Sequence, residues 1–221
     1  MSRKGHRNFE PNIDRLRRKP GKRTTRSSIL IVCEGSKTEP KYFMGVLAKW
    51  KLATVEVLPA RGSAPTTIVA DAALRKKARR VEASHSNVVA EYDEVWCVFD
   101  VDAHPKIKTA IKTADENGID VALTNPCFEF WLLLHFVRFG TTNQTRHQVQ
   151  RKLRQYIPGY EKGGDLGDDV FDGIGTAIRH AEDILRSQWQ VNPEKAEKLL
   201  KCNPSTAVHL VIKKLRSMAP V

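Results

Sequence analysis

The feature that most constrains the fold is a series of short apolar segments alternating with amphipathic ones between residues 29 and 139. DEVWCVFDVD is apolar on both faces, which is typical of a strand in the middle of a parallel sheet covered by helices. SSILIVC, ATVEVLPA and IDVALT are further strand-type segments. Because helical segments lie between these strands, the order predicts an α/β sheet with right-handed crossovers.

The connecting segments predict helices. TEPKYFMGVLAKW and KIKTAIKTADENG have apolar residues at helical spacing, and NPCFEFWLLLHFV is expected to turn from a loop into an apolar helix. In PTTIVADAALRKKARRVEAS, we expect the apolar positions Ile68, Ala72, Leu74 and Val81 to face inward. The outer face of this helix is strongly basic, with Arg75, Lys76, Lys77, Arg79 and Arg80.

The pattern changes after residue 139. TRHQVQRKLRQYI predicts a basic amphipathic helix, and the Gly/Asp-rich segment EKGGDLGDD predicts a loop. GIGTAIRHAEDILRSQWQ and PSTAVHLVIKKLRS predict further helices that cover one side or edge of the sheet. We therefore expect a domain over residues 27–221, with an α/β core at 27–139 and a helical elaboration at 140–221.

Residues 1–26 form a basic arm that we expect to be disordered on its own, because it has few apolar residues and many charges. The arm holds ten Lys or Arg and two acidic residues, whereas the rest of the chain holds 27 and 23. A net charge of +12 is typical of proteins that bind polyanions, nucleic acid above all. The alternative is that the arm alone produces the excess.

Other classes of protein fit the sequence poorly. The four cysteines are widely spaced without a CxxC pair, which disfavours a zinc site and predicts a reducing, cytoplasmic location. No apolar core of a signal peptide precedes the domain, and no apolar run is long enough to cross a membrane. A Walker A motif is missing, so ATP hydrolysis by this chain is not expected.

Carboxylates follow two of the predicted strands directly. Glu34 comes after the first strand, and Asp100 and Asp102 come at the end of the third. Ligands of open α/β sheets bind outside the carboxyl ends of the strands, and converging carboxylates favour a divalent cation such as Mg²⁺. Asp102 lies two residues after Asp100, so both can face one ion. Either motif alone is also common at ordinary strand ends and turns.

Further candidate residues flank these carboxylates. Lys37 can neutralise a phosphate in the transition state, or it can be an ordinary loop lysine. We expect Thr38 to cap the following helix and Glu39 to complement its dipole. In NPSTAVHL, we expect Ser205 or Thr206 to cap a helix.

Glu129 lies among aromatic residues near the end of the fourth strand. A buried carboxylate is costly unless it is paired or binds a metal. Glu129 therefore either joins the acidic cluster or forms a salt bridge with Arg138 or another cation. Asn125 is expected to hold the turn before Pro126, and His135 to be a hydrogen-bonded core residue.

Four motifs, ILIVCEGSKTEPKYF, VWCVFDVDAH, NPCFEFWLLLHF and NPSTAVHLV, together resemble the RloB-like family. A glutamate after the first strand and a later DxD resemble the wider Toprim domain of topoisomerases, primases and OLD-type nucleases. The resemblance implies a Toprim-like fold, phosphodiester chemistry dependent on Mg²⁺ or Mn²⁺, and an antiphage role beside an AAA or ABC-type ATPase. It places the Toprim glutamate at Glu34 and the metal-binding aspartates at Asp100 and Asp102.

One position departs from that pattern, because many Toprim proteins have DxDxD and this chain has His104 at the third acidic position. His104 is either an auxiliary metal ligand or proton shuttle, or an exposed loop residue.

We therefore expect a metal-dependent endonuclease acting on RNA, including transfer RNA, or on DNA. Glu34, Lys37 and Glu129 would be catalytic, and Glu34, Asp100 and Asp102 would bind the metal. The nucleic acid would be bound by Lys37 and the cations of the basic helix, Arg75, Lys76, Arg79 and Arg80. The alternatives are a non-catalytic module that binds nucleic acid and the ATPase, and a primase-like nucleotidyl transferase.

Overall fold

The structure, a computed structural model, describes residues 27–101, 106–140, 142–190 and 196–220. Its centre is a sheet in the order β2-β1-β3-β4-β5, in which β1 to β4 are parallel and β5 is antiparallel to β4. The strands are β1 (Ile29–Cys33), β2 (Val55–Pro59), β3 (Glu94–Asp100), β4 (Asp120–Asn125) and β5 (Ser205–Thr206).

Helices connect and cover these strands. They are α1 (Thr38–Trp50), α2 (Pro65–Ser84), α3 (Ile107–Glu116), α4 (Phe128–Leu133), α5 (Arg146–Leu153), α6 (Asp168–Asp172), α7 (Ile174–Asp183), α8 (Ala196–Leu199) and α9 (Val208–Met218). A π-helix, Ile184–Trp189, continues α7. The predicted α/β architecture, a mostly parallel sheet flanked by helices with a helical C-terminal part, is confirmed.

The sheet has the burial that its sequence predicts. All five residues of β1 are buried, because β1 lies between β2 and β3 and has helices on both faces. Right-handed crossovers place α1 on one face and α2 and α3 on the other. The α2 helix packs against α3 and β3, while α7 packs against α4 and α9. The parallel pairing of β1 with β3 and of β3 with β4 places the carboxyl ends of these strands side by side.

The predicted inner face of α2 was partly wrong. Leu74 and Val81 are 62% and 54% exposed, so they lie on the outer surface of α2, whereas Ile68 and Ala72 are buried as expected. The packed face of α2 is therefore narrower than its apolar content suggested.

The expected helix cap at Ser205 or Thr206 is met in part. These two residues pair with β4 as β5, and Ala207 is the N-cap residue of the helix that begins at Val208. The Thr206 Oγ1 nevertheless accepts a 3.2 Å hydrogen bond from the Val208 N–H. Ser205 donates a hydrogen bond to the carbonyl of Cys202. None of the helices in the described ranges is both long and apolar enough to cross a membrane.

Candidate active site

Glu34 and Asp100 meet at the carboxyl edge of the sheet. Glu34 follows β1, Asp100 ends β3, and the two strands are neighbours. The Asp100 backbone N–H donates to Glu34 Oε2 at 2.9 Å, and the Glu34 N–H donates to the carbonyl of Val98 at 2.9 Å. The strand pairing itself therefore brings together two of the three carboxylates expected to converge.

Asp100 is buried, and its surroundings disfavour the charged form of its carboxyl group. Burial raises the pKa of its carboxyl well above the usual range, and the neighbouring Glu34 raises this pKa further. Arg146, at the start of α5, opposes the shift through an ion pair of 3.1 Å with Asp100 Oδ2. Glu39 and Glu129 are also close enough to raise the pKa of Asp100. These four carboxylates, of Glu34, Asp100, Glu39 and Glu129, form an acidic edge at the carboxyl ends of the strands. Arg146 balances only part of its negative charge.

Glu39 belongs to this group of carboxylates. Its carboxylate lies against Gly35, where an added Cβ would fall 2.1 Å from Glu39 Oε2, so a larger residue would displace it. Burial raises the pKa of Glu39, the residue's own backbone N–H opposes this shift, and Glu129 and Glu34 add to it. The sequence had suggested only a helix-dipole role for Glu39. In the structure it is a fourth acidic member of the edge.

Glu129 is 2% exposed and lies in the first turn of α4. Gln150 Nε2 donates a hydrogen bond of 2.8 Å to Glu129 Oε1. Burial and then Glu129 itself raise the pKa of the nearby Cys127 thiol. The alternative of a salt bridge with Arg138 was wrong, because Arg138 pairs with Asp183 instead.

The turn between β1 and α1 differs from its prediction. Lys37 occupies the N-cap position, and no side chain caps the helix there. The cap expected from Thr38 was therefore wrong. Thr38 is the first residue of α1, and its Oγ1 accepts a 3.0 Å hydrogen bond from the Gly163 N–H. Lys37 is exposed, and its aliphatic carbons cover Gly163.

Most of the cations predicted to bind nucleic acid contact residues near the amino ends of the strands. Arg75 pairs with Asp71, and Lys76 donates to the carbonyls of Asn117 and Gly118, just before β4 begins. Arg79 pairs with Glu56 near the start of β2 and lies 4.8 Å from the centroid of the Tyr92 ring. Arg80 is 78% exposed and 3.9 Å from Glu91.

The contacts of Lys76, Arg79 and Arg80 link α2 to the amino ends of the strands, whereas Glu34 and Asp100 lie at the carboxyl ends. Asp71, the partner of Arg75, instead accepts a hydrogen bond from the backbone N–H of Arg61, just beyond the carboxyl end of β2. The structure therefore does not bring Lys76, Arg79 and Arg80 to the acidic edge. Lys37 is the member of the predicted set that lies there.

Two predicted site residues, Asp102 and His104, lie outside the described residues, as does the basic arm of residues 1–26. Within the described part of the chain, no three His, Cys, Asp or Glu side chains are arranged closely enough to hold a metal ion. The donor chemistry at the edge nevertheless suits a hard cation, because Glu34 and Asp100 supply carboxylate oxygens from adjacent strand ends.

His135 is a core residue rather than part of this edge. It is buried, its Nδ1 lies 3.0 Å from the carbonyl of Trp131, and its Nε2 lies 3.0 Å from the Tyr42 hydroxyl. These partners fit a neutral ring that donates from Nδ1 and accepts at Nε2. Burial lowers the pKa of His135 to about 4. Asn125 is buried as the last residue of β4.

Sequence reasoning missed Arg146 and Gln150 as neighbours of the acidic edge. The only signal for them was the basic amphipathic pattern of α5, and it did not indicate which strand ends the helix faces. Both contacts depend on the packing of α5 against α4.

The fold and site define an α/β protein with an acidic cluster at the carboxyl edge of a mostly parallel sheet. The model of the family described as RloB-like protein matches residues 29–215. The chain therefore belongs to the RloB-like family. A search of curated proteins and a search of solved structures found no match.

Proposed function

We propose that this protein is a metal-dependent endonuclease with a Toprim-like active site at the carboxyl edge of the sheet. One observation carries the proposal: Glu34 and Asp100 lie at the carboxyl ends of adjacent parallel strands, where the Asp100 backbone N–H donates a 2.9 Å hydrogen bond to Glu34 Oε2. Such strand-end clusters are where α/β proteins bind ligands. Membership of the RloB-like family supports the same conclusion.

Asp100 and Asp102 would hold Mg²⁺, with Glu34 as a further ligand or as the general base. When bound, the cation would polarise the phosphodiester and lower the pKa of an attacking water. The Asp100 N–H fixes the orientation of the Glu34 carboxylate, which suits a group that must accept a proton at a defined position.

Other residues would orient the substrate and the carboxylates. Lys37 is exposed at the edge and can pair with the phosphate. Gln150 orients Glu129 through their hydrogen bond. Arg146 is close enough to balance Asp100 before the cation binds. After that, its guanidinium can contact a phosphate oxygen instead.

Cleavage of labelled RNA and DNA by the purified chain, with Mg²⁺ or with EDTA, tests this function. Glu34→Gln and Asp100→Asn should each reduce Mg²⁺-dependent cleavage by about 100-fold or more, while the surface variant Asp172→Asn should cleave normally. Asp172 is a suitable control because it is exposed and pairs with Lys49 on α1. Equal cleavage by all four proteins would refute catalysis at this edge.

The family resemblance also motivates a role in antiphage defence beside an ATPase partner. Plating of phage on cells that carry the chain with its neighbouring gene, or either gene alone, tests this role. Protection that needs both genes and is lost with Asp100→Asn would support it. Protection by the neighbouring gene alone would contradict it.

A second candidate function is a non-catalytic module that binds nucleic acid and the ATPase. The Arg146–Asp100 ion pair favours it, because a protein cation already neutralises part of the acidic edge. In that case Asp100→Asn would leave nucleic-acid binding and defence intact, and no cleavage would be seen with any divalent cation.

A further inference from the structure

Tyr160 lies beside the acidic edge and has no role in the function proposed above. It follows α5 and is 4% exposed. Its hydroxyl has no hydrogen-bond partner of ordinary geometry within the described part of the chain, although Thr38 lies close to it. A buried donor without an acceptor is costly, so the position calls for an explanation beyond packing.

The surroundings of the hydroxyl connect it with the site. Burial and then Glu129 raise the pKa of Tyr160, the nearby Thr38 hydroxyl opposes this shift, and Cys127 and Glu39 add to it. The hydroxyl therefore stays protonated and remains a hydrogen-bond donor. It lies among residues that begin α1 and α4, which are the two helices that carry Glu39 and Glu129.

Residues 160–164, the segment that carries Tyr160, form hydrogen bonds with α1 and with Arg154, which directly follows α5. Arg154 Nε donates to the Tyr160 carbonyl at 3.4 Å, and the Gly163 N–H donates to Thr38 Oγ1 at 3.0 Å. Lys41 Nζ donates to the Gly163 carbonyl at 3.5 Å. Gly163 has a φ of +78° and is covered by Lys37, so a side chain there would be strained as well as crowded.

Donors and acceptors lie close together around this segment. The acceptors are the carboxylates of Glu34, Asp100, Glu39 and Glu129. The donors are the buried Tyr160 hydroxyl and three exposed lysines, of which Lys37 and Lys41 lie at the start of α1 and Lys162 lies in the segment beside the exposed Glu161. Lys162 is close enough to lower the pKa of Glu39. An anionic phosphodiester fits between a donor wall and a carboxylate edge that binds a cation.

We propose that residues 160–164 form a phosphate-binding wall of the active site, in which the Tyr160 hydroxyl donates a hydrogen bond to a non-bridging oxygen of the substrate. This inference rests on the proposed nucleic-acid substrate and deepens it. Because the hydroxyl is buried, the substrate reaches it when the Gly163–Thr38 and Gly163–Lys41 contacts rearrange.

Tyr160→Phe in the full chain tests the proposal, with Tyr156→Phe as the matched control. Tyr156 is 37% exposed and stacks on Phe136 at a centroid distance of 5.3 Å. A hydrogen bond to a charged oxygen accounts for about a tenfold change in affinity or more. Tyr160→Phe should therefore weaken binding of a short fluorescein-labelled single-stranded RNA or DNA by about tenfold in the presence of Ca²⁺, a hard cation that can occupy the carboxylate edge, whereas Tyr156→Phe should not.

The same variant should reduce kcat/KM for Mg²⁺-dependent cleavage by at least the same factor. Its melting temperature should be unchanged or higher, because the substitution removes an unpaired buried hydroxyl. A lower melting temperature with unchanged binding and cleavage would show that the hydroxyl has only a structural role.

These measurements separate the two proposals. If the wild-type chain binds the oligonucleotide in a Tyr160-dependent way but never cleaves it, the phosphate wall stands and the nuclease proposal fails. If the wild-type chain cleaves and Tyr160→Phe binds and cleaves equally well, the nuclease stands and the wall fails. A wild-type chain that neither binds nor cleaves RNA or DNA overturns both.

Discussion

Replacement of Arg146 by Gln is a demanding test of the electrostatics at the acidic edge. Arg146 forms a 3.1 Å ion pair with Asp100, whose side chain is 8% exposed, while that of Arg146 is 35% exposed. At an effective dielectric constant of about 20, opposite charges at this distance attract each other by roughly 5 kcal/mol. Solvent screening at the partly exposed guanidinium and the cost of desolvation reduce the net effect.

We expect Arg146→Gln to lower the free energy of unfolding by about 2 kcal/mol without divalent cations. For a chain of this size, that corresponds to a decrease in melting temperature of roughly 4–8 °C. Because the guanidinium would no longer compete for Asp100, Mg²⁺ should stabilise the variant more than it stabilises the wild type. Thermal melts in EDTA and across a Mg²⁺ titration measure both effects.

Arg138→Gln is the matched control. Arg138 also pairs with an aspartate, Asp183, but both side chains are more than 40% exposed. Loss of this surface pair should cost no more than about 1 kcal/mol, and the response to Mg²⁺ should equal that of the wild type. An Arg146→Gln variant with the same stability and the same Mg²⁺ response as Arg138→Gln would refute the argument.

Three further predictions concern other parts of the chain. Burial lowers the pKa values of His135 and His209 to about 4, so the unfolded chain binds more protons as pH falls below about 6.5. Each histidine should then lower the free energy of unfolding by roughly 2 kcal/mol between pH 7 and pH 5. In urea melts at these two pH values, His135→Gln should lose the part of this decrease that is due to His135. Glu129→Gln should weaken Mg²⁺ binding but cost no more than about 1 kcal/mol of stability, because an amide oxygen can still accept from Gln150; a large loss of stability with an unchanged Mg²⁺-dependent melting shift would remove Glu129 from the site. Deletion of residues 1–26 lowers the net charge from +12 to +4 and should reduce both the affinity for nucleic acid and its dependence on salt; equal affinity and salt slope for the two forms would assign the arm another use.

The order of strands and helices was predictable because each segment carries its own periodicity. The β3 residues are apolar at consecutive positions, and the strand is central in the sheet, as this pattern predicts. The convergence of Glu34 and Asp100 was also predictable, since it needs only that β1 and β3 be parallel neighbours. The rule that ligands bind at the carboxyl ends of strands then identifies the edge.

Contacts made by the C-terminal helices were not predictable in the same way. The pairing of Arg146 with Asp100 depends on how α5 packs against α4, and a basic amphipathic pattern does not specify its partner. The strand at Ser205 and Thr206 is two residues long, too short for periodicity to reveal. Leu74 and Val81 are apolar residues on an exposed helix face, where composition alone misleads.

The position of a bound cation tests the central claim most directly. Crystals of the full chain grown with Mn²⁺ in place of Mg²⁺, measured by anomalous diffraction, would locate the ion without relying on activity. We predict an anomalous peak within about 2.1–2.3 Å of a carboxylate oxygen of Asp100, on the side of Glu34, with Arg146 moved away from Asp100. An Arg146–Asp100 ion pair that persists at saturating Mn²⁺, with no peak at this edge, would contradict the account.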